Sequence, residues 1–152
     1  DVALDEVFKA VNKAAELLES DNQPRAILFE TALHGELLNL DEEDNKRHYA
    51  GGMSANRINA GLGMIISQLL EKVGKEKVAG LYTTGGDTMV NVCYQLGVEC
   101  IEVMDYVIPQ TDVGRLVGSK YSGLPVVGKG GLTGNDNTAC DIVSRLFRES
   151  AR

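Results

Sequence analysis

Cysteine is scarce in this chain, and its spacing argues against two classes of protein. The 152 residues include three cysteines, Cys93, Cys100 and Cys140, with no CxxC pair among them. An odd number of cysteines without paired spacing favours reduced thiols over a disulfide framework or a zinc site. Free cysteine tends to be buried. We therefore expect all three thiols to pack in the interior of a cytoplasmic protein.

Metal-binding and hydrolase motifs are also lacking. The two histidines, His34 and His48, lie well apart in the sequence with no cysteine nearby. We therefore expect exposed or locally bonded imidazoles rather than a metal pair. No serine stands in the G-x-S-x-G turn of a hydrolase. The sequence therefore offers no nucleophilic triad.

Long apolar runs and an excess of basic charge are absent as well. No stretch approaches the roughly 20 consecutive apolar residues of a membrane helix, and the start lacks the basic-then-apolar order of a signal peptide. The 22 acidic residues outnumber the 15 basic ones, for a formal net charge of −7. Nucleic-acid-binding proteins carry clustered Lys and Arg. We therefore expect neither nucleic acid nor membrane as a partner, whereas a small anionic ligand is compatible with this charge.

What the chain does contain is the pattern of one α/β domain. Its hydrophobic fraction of 43% and charged fraction of 24% are typical of globular proteins. Helical and strand patterns alternate, which predicts a three-layer-type sandwich with a mainly parallel sheet and helices on both faces. The patterns predict helices at 4–18, 54–73, 87–96 and 137–148, strands at 25–30, 78–82, 98–104 and 124–128, a solvated acidic loop at 40–52, and a short edge strand or helical turn at 113–119.

Residues 77–97 combine a strand, a glycine turn and a helix in immediate succession. In the turn, T-T-G-G-D-T, either Asp87 or Thr88 is a suitable helix N-cap. A glycine turn that opens a helix exposes unpaired N–H groups at the positive end of the helix dipole, where phosphate binds readily. Asp87 is also suited to hold Mg²⁺ or a ribose hydroxyl. Taken alone, these residues describe an ordinary capped turn equally well.

A second glycine cluster, GKGGLTGND at 128–136, directly follows the strand at 124–128. Lys129 among four glycines resembles a phosphate cradle, in which N–H groups surround the anion and the ammonium adds a point charge. The cluster is not a Walker A motif, because the GKS or GKT ending is absent. A flexible loop with a solvated lysine is the alternative. Ligands bind outside the carboxyl ends of parallel strands, so we expect the two clusters to form one site.

The order of these motifs resembles that of the C-terminal nucleotide-binding domain of the four-carbon acid sugar kinases over residues 54–148. That family carries a G-G-[DE]-T turn after one strand and a K-x-G-x-x-G loop after a later one, and both contact ATP. Pro109-Gln110 stands where the family commonly has a proline-glycine turn. The resemblance implies ATP contacts at Gly85, Gly86, Asp87, Thr88, Lys129, Gly131 and Gly134.

The resemblance also implies how the chain works. Residues 1–152 are expected to form a single nucleotide-binding domain, the C-terminal part of a two-domain kinase that phosphorylates a hydroxyl of a threonate- or erythronate-class acid. The expected cofactors are ATP and Mg²⁺. The expected partners are the sugar acid and an upstream domain that binds it. That domain is expected to hold the catalytic aspartates, so no catalytic residue is predicted here, and a homodimer stays open.

Two other functions compete with this interpretation. The first is a non-catalytic module that binds a nucleotide or a phosphorylated metabolite. The second is an NAD-type dehydrogenase domain, against which the lack of G-x-G-x-x-G after any strand argues. The predicted cofactor-binding residues are Thr84, Gly85, Gly86, Asp87, Thr88, Lys129, Gly130, Gly131 and Gly134. Asp87 is also the predicted metal ligand.

Overall fold

The computed structural model describes residues 4–32 and 34–151. Within these ranges the chain forms five α-helices, four strands and a 3₁₀ turn at Lys75–Lys77. In chain order the helices and strands are α1 (Leu4–Glu19), α2 (Leu40–Lys46), α3 (Met53–Val73), β1 (Leu81–Thr84), α4 (Gly86–Gln95), β2 (Cys100–Ile108), β3 (Thr111–Val117), β4 (Pro125–Lys129) and α5 (Thr138–Ser150). None of the helices in these ranges is long and apolar enough to cross a membrane.

The four strands form one mixed sheet in the order β1-β4-β3-β2. The expected parallel pairing is confirmed for β1 and β4, whereas β4 with β3 and β3 with β2 are antiparallel. The reason is the length of the connections. Pro109 and Gln110 alone join β2 to β3, and so short a turn produces a hairpin, because a parallel pair needs a crossover of a dozen or more residues.

Helices pack against both faces of the sheet, as predicted. Successive residues of a strand point to opposite faces, and β4 shows this clearly. Val126 belongs to a buried cluster with residues of α3 and α4, whereas Val127 packs with Ile142 and Leu146 of α5. On the first face α1 adds a further layer, since its Ala14 and Ala15 pack against the C-terminal part of α3.

Two of the predicted elements before α3 differ from the structure. Residues 25–30 form no strand. Ile27 and Phe29 of this short apolar run instead pack against the cluster between α1 and α3 without forming a strand. The predicted loop at 40–52 contains the helix α2, whose N-cap Asn39 accepts a hydrogen bond from the Glu42 N–H.

A buried carboxylate links α2 to α3. Asp44 is 3% exposed, and its two carboxylate oxygens accept hydrogen bonds from the backbone N–H groups of Gly52 (2.7 Å) and Ser54 (2.8 Å). Hydrogen bonds from the side chain of Ser54 and from nearby backbone N–H groups hold the pKa of Asp44 below its ordinary value. An acidic run therefore contains one residue with a specific structural role.

The sheet also places two predicted features differently. Residues 113–119 were expected as an edge strand or a helical turn, but β3 lies between β2 and β4 and is buried at Val113 and Leu116. The expectation of three buried cysteines is wrong for Cys100 and Cys140, which are exposed. Both occupy the solvent side of an edge strand or helix. Cys93 is half-buried, and burial raises its pKa.

Candidate functional site

The two glycine loops meet at the carboxyl ends of the parallel strands β1 and β4. Thr84 and Lys129 are register partners at these ends. One residue further on, the N–H of Gly85 donates a hydrogen bond to the carbonyl of Lys129 over 3.1 Å. The prediction that both clusters share one edge of the sheet is therefore confirmed, because parallel pairing brings the following residues side by side.

The first loop leaves the start of α4 without a side-chain cap. The N-cap is Gly85, with φ 90° and ψ 133°, and no side chain accepts a hydrogen bond from the first turn. The expectation that Asp87 or Thr88 caps the helix is thus wrong. The hydroxyl of Thr88 donates to Asn59 Oδ1 of α3 instead, over 2.8 Å, and Asp87 is exposed. Uncapped N–H groups at a helix start are the arrangement that binds anions.

The second loop is closed by its own lysine. Lys129 Nζ donates hydrogen bonds to the carbonyls of Gly130 (2.8 Å), Gly131 (2.5 Å) and Thr133 (2.9 Å). The hydroxyl of Thr133 also donates to the Gly130 carbonyl. The loop is therefore a compact ring of inward-pointing carbonyls rather than a flexible segment with a solvated lysine.

Contacts at both ends fix this ring to the domain. The Gly130 N–H donates to the carbonyl of Gln110 in the β2–β3 turn over 2.9 Å. Gln110 itself has φ 62°, the left-handed conformation that glycine adopts most easily. At the other end Gly134 (φ 102°) leads into α5, and the Asn135 N–H donates to Thr138 Oγ1 over 2.8 Å.

A cleft of about 260 Å³ lies beside the two loops on the face of the sheet that carries α4. Gly85, Gly86, Lys129 and Gly130 line it, so the structure brings these predicted residues together. The predicted residues outside the lining are Thr84, Asp87, Thr88, Gly131 and Gly134. The remaining lining residues are Met89, Ile101, Val103, Gln110, Asp112, Gly114, Val126 and Gly128.

The floor of the cleft consists of sheet positions that the sequence-based site did not include. Gly114 and Gly128 lie on neighbouring strands, and an added Cβ at Gly128 would lie 2.6 Å from Met89 Sδ. At Gly114 it would lie 2.5 Å from the Glu102 carbonyl. Glycine inside a strand signals a close backbone approach or a ligand. This signal was available in the pattern V-G-R-L-V, but it required β3 to be recognised as a strand.

Carboxylates near the cleft are few. Asp112 lines it and Asp87 stands in the first turn of α4. In the described part of the chain no three His, Cys, Asp or Glu side chains cluster closely enough to hold a metal ion by themselves. His34 is exposed and bonds locally to Glu30 over 3.1 Å. His48 is exposed too.

The chain is thus an α/β domain in which two glycine loops at adjacent strand ends line one cleft. A family model described as the nucleotide-binding C-terminal domain matches residues 2–139. The chain belongs to this family.

Curated relatives are kinases that are much longer than this chain. The chain is 44% identical over 93 residues to D-erythronate kinase of Heliobacterium modesticaldum. The aligned residues make up 61% of this chain and 21% of that protein. It is 30% identical over 144 residues to D-threonate kinase of Salmonella typhimurium, covering 94% of the chain and 33% of that protein. The chain thus spans about a third or less of the length of these kinases.

Solved structures share the fold. A domain of unknown function from Bordetella bronchiseptica, crystallised with bound citrate as a domain-swapped dimer, matches with a TM-score of 0.57 and 30% identity over 66% of this chain and 24% of that one. A protein of Salmonella typhimurium LT2 matches with a TM-score of 0.61 over 95% of this chain and 32% of that one. At 14% identity, the second match shows the fold alone.

Proposed function

We propose that this chain is the ATP-binding domain of a kinase that phosphorylates a hydroxyl of a four-carbon sugar acid of the threonate or erythronate class. Membership of the nucleotide-binding family and the similarity to D-erythronate kinase and D-threonate kinase support this proposal. The structural observation that carries it is the hydrogen bond from Gly85 N–H to the Lys129 carbonyl. It joins two glycine loops into one anion-binding edge.

In this proposal the backbone binds the phosphates. The N–H groups at Gly86, Asp87 and Thr88 stand at the uncapped start of α4, where the helix dipole favours negative charge. The second loop supplies a further N–H group at Gly131, whereas the Gly130 N–H donates to the Gln110 carbonyl and holds the loop in place. Thr84 and Gly134 stand at the strand end and the α5 end of the two loops. The apolar and glycine-lined floor of the cleft offers a surface for the nucleoside.

Asp87 is the proposed ligand of Mg²⁺. Magnesium is held in kinases by one or two carboxylates together with the substrate phosphates, and it keeps several waters. The exposed carboxylate of Asp87 in the first turn of α4 fits this requirement, and Asp112 on the cleft lining adds a second carboxylate nearby. When bound, the ion would neutralise charge on the phosphates during transfer.

The remainder of the reaction is assigned to the rest of a longer protein. Phosphoryl transfer depends mainly on positioning and electrostatic stabilisation, and this chain supplies the nucleotide side of that arrangement. We propose that an upstream domain binds the sugar acid and contributes the general base. Because the domain-swapped Bordetella relative is a dimer, we also propose a homodimer, which light scattering of the full-length protein would measure.

Calorimetry with Mg·ATP tests the proposal. The folded chain is expected to bind Mg·ATP weakly, without turnover of ATP and threonate or erythronate. Lys129→Ala is expected to weaken binding by about tenfold, an amount typical of losing hydrogen bonds to a charged group. Absence of binding by the folded wild-type chain, or unchanged affinity in Lys129→Ala, would contradict the site. Saturation by a phosphorylated sugar acid without ATP binding would instead favour a metabolite-binding module.

A further inference from the structure

The ammonium of Lys129 lies within its own loop. A lysine ammonium has three N–H donors, and Lys129 Nζ donates to three carbonyls, those of Gly130, Gly131 and Thr133, at 2.5 to 2.9 Å. All of its donors are therefore used. An ammonium in this state has no N–H left for a phosphate oxygen unless the loop opens.

The strand period places the Lys129 side chain away from the cleft. Val126 and Gly128 of β4 line the cleft on the α4 face, whereas Val127 packs with α5 on the other face. Lys129 follows Val127 by two residues, and residues two apart in a strand share a face. Only the backbone of Lys129 is then needed to explain its place in the cleft lining.

A buried hydroxyl lies on the strand next to Lys129. Thr111 is the register partner of Lys129 across the β3–β4 pair, and directly opposed residues have Cβ atoms about 5 Å apart on the same face. Thr111 is 0% exposed. Among the described residues its Oγ1 is the buried side-chain polar atom that has no hydrogen-bond partner. The three carbonyls that surround the ammonium resemble the oxygen ligands of a monovalent cation.

We propose that Lys129 is a positioning residue whose ammonium acts as a built-in monovalent cation, keeping the second glycine loop in its phosphate-binding shape. The carbonyl and N–H of a peptide point in opposite directions, so carbonyls gathered inward around Nζ turn the loop N–H groups outward. Successive outward N–H groups form the concave arrangement that binds anions. The expected effect on nucleotide affinity rests on the proposed nucleotide function, whereas the expected effect on the shape of the loop does not.

Hydrogen exchange without nucleotide tests the loop geometry directly. In Lys129→Ala, the hydrogen-bonded amides of Gly130, Thr133 and Asn135 are expected to exchange at least about tenfold faster than in the wild type, since the loop loses the charged hydrogen bonds that hold its shape. K⁺ and NH₄⁺, which accept carbonyl oxygens as ligands, are expected to restore protection. Choline at the same ionic strength is expected not to. Lys77→Ala is the matched control, because it removes the same charge outside the loop and should leave these amides unchanged.

A charge-conserving variant separates positioning from simple charge neutralisation. Lys129→Arg keeps the positive charge, but its planar fork cannot direct three N–H groups at a small ring of carbonyls. It is expected to exchange as fast as Lys129→Ala and to bind Mg·ATP about tenfold more weakly than the wild type. In Lys129→Ala, K⁺ is expected to restore nucleotide affinity as well.

Several results would overturn the proposal. These are unchanged exchange in Lys129→Ala, equal recovery in choline and K⁺, or wild-type exchange and affinity in Lys129→Arg. If wild-type chain binds no nucleotide, the proposed function fails while the exchange result still decides the role of Lys129. Should the variants not fold, NMR of the lysine ammonium protons in the wild type decides the matter. One slowly exchanging ammonium supports the ring, and rapid exchange of all of them contradicts it.

Discussion

Gly86 stands at the first position of α4 and has no conformational need to be glycine. Gly85 needs to be glycine because its φ of 90° lies in the left-handed region. Gly86 has no such φ, and an added Cβ there would find no atom within 4 Å. Nothing in the fold therefore requires glycine at the first position of α4. The open space in front of it belongs to the cleft that we assign to phosphate.

Gly86→Ala is therefore expected to affect stability and binding in opposite directions. Replacing glycine where the conformation suits alanine stabilises by about 0.4–1 kcal/mol, because the unfolded chain loses entropy. The added methyl group would at the same time block close approach of an anion. We expect a higher urea midpoint together with weaker Mg·ATP binding by calorimetry.

Gly51→Ala is the control for this prediction. An added Cβ at Gly51 also meets no atom within 4 Å, but the residue lies outside the cleft lining. The affinity of the Gly51→Ala variant for nucleotide should equal that of the wild type. Unchanged affinity in Gly86→Ala would show that the start of α4 does not contact the ligand.

Asp44 is expected to make the stability of the chain depend on pH. Its pKa in the folded state lies below its ordinary value, chiefly because of hydrogen bonding from Ser54. The carboxylate therefore stabilises the fold at neutral pH, and this contribution disappears as the pH falls through the lowered pKa. Asp44→Asn should lower the urea midpoint at neutral pH, and the difference from wild type should shrink as the pH falls below the ordinary pKa of an aspartate and through the lowered pKa of Asp44.

Asp41→Asn provides the comparison on the same helix. Asp41 is exposed in the first turn of α2, so its removal should change the urea midpoint little at any pH. A difference between wild type and Asp44→Asn that stays constant with pH would show that the amide loses packing rather than charge.

Helix α5 is held to the sheet by an ionic network centred on the buried Glu149. Glu149 is 1% exposed and accepts a hydrogen bond from Arg145 Nε at 2.7 Å. Arg145 also donates to Asp105 on β2 at 3.0 Å, and Arg115 on β3 donates to the Glu149 backbone carbonyl at 3.0 Å. One helix is thereby tied to two strands. Since α5 begins where the second glycine loop ends, the network also supports the site.

Arg145→Met is expected to destabilise the domain strongly. Removing one partner of a buried pair leaves an uncompensated charge. We expect the free energy of unfolding to fall by about 3 kcal/mol or somewhat less, because Arg115 stays near Glu149. Chemical unfolding monitored by circular dichroism would measure this loss. Arg148→Met, at an exposed position of the same helix, should change the free energy of unfolding by no more than about 0.5 kcal/mol. Equal effects of both variants would contradict the network.

At the scale of the whole molecule, a ligand that binds only the folded state should raise its stability. At about 100 times its dissociation constant, Mg·ATP is expected to add about 2.7 kcal/mol to the free energy of unfolding. Thermal unfolding at several ATP concentrations measures this linkage. NAD⁺ at the same concentrations should produce no shift. A saturating shift with NAD⁺ alone would favour the dehydrogenase alternative.

The parts of the fold that the sequence predicts well are those with local signals. The helix at 54–73, the final helix and the strand before the second glycine loop agree with α3, α5 and β4 within a few residues. At Gly63 of α3 an added Cβ would lie 2.7 Å from the Asn91 carbonyl of α4, so glycine lets the two helices approach closely. Periodicity and glycine placement encode these features directly.

The features that the sequence misses depend on partners distant in the chain. The segment at 25–30 has a strand-like pattern but no ladder in the described structure, and β3 is central because β2 and β4 flank it. Asp44 looks like any other acidic residue until the N–H groups of Gly52 and Ser54 are placed around its carboxylate. In the same way, the sequence around Lys129 does not indicate that its ammonium donates hydrogen bonds to the carbonyls of its own loop.

By itself, the sequence determined that each of the two glycine clusters follows a strand and comes before a helix. It could do so because turn chemistry and periodicity are local properties. Only the tertiary structure decided that Gly85 and Lys129 share a hydrogen bond, that Gly114 and Gly128 form one floor, and that the lysine ammonium is fully engaged. These depend on strand order, register and the direction of each side chain, which arise when remote segments pair and pack.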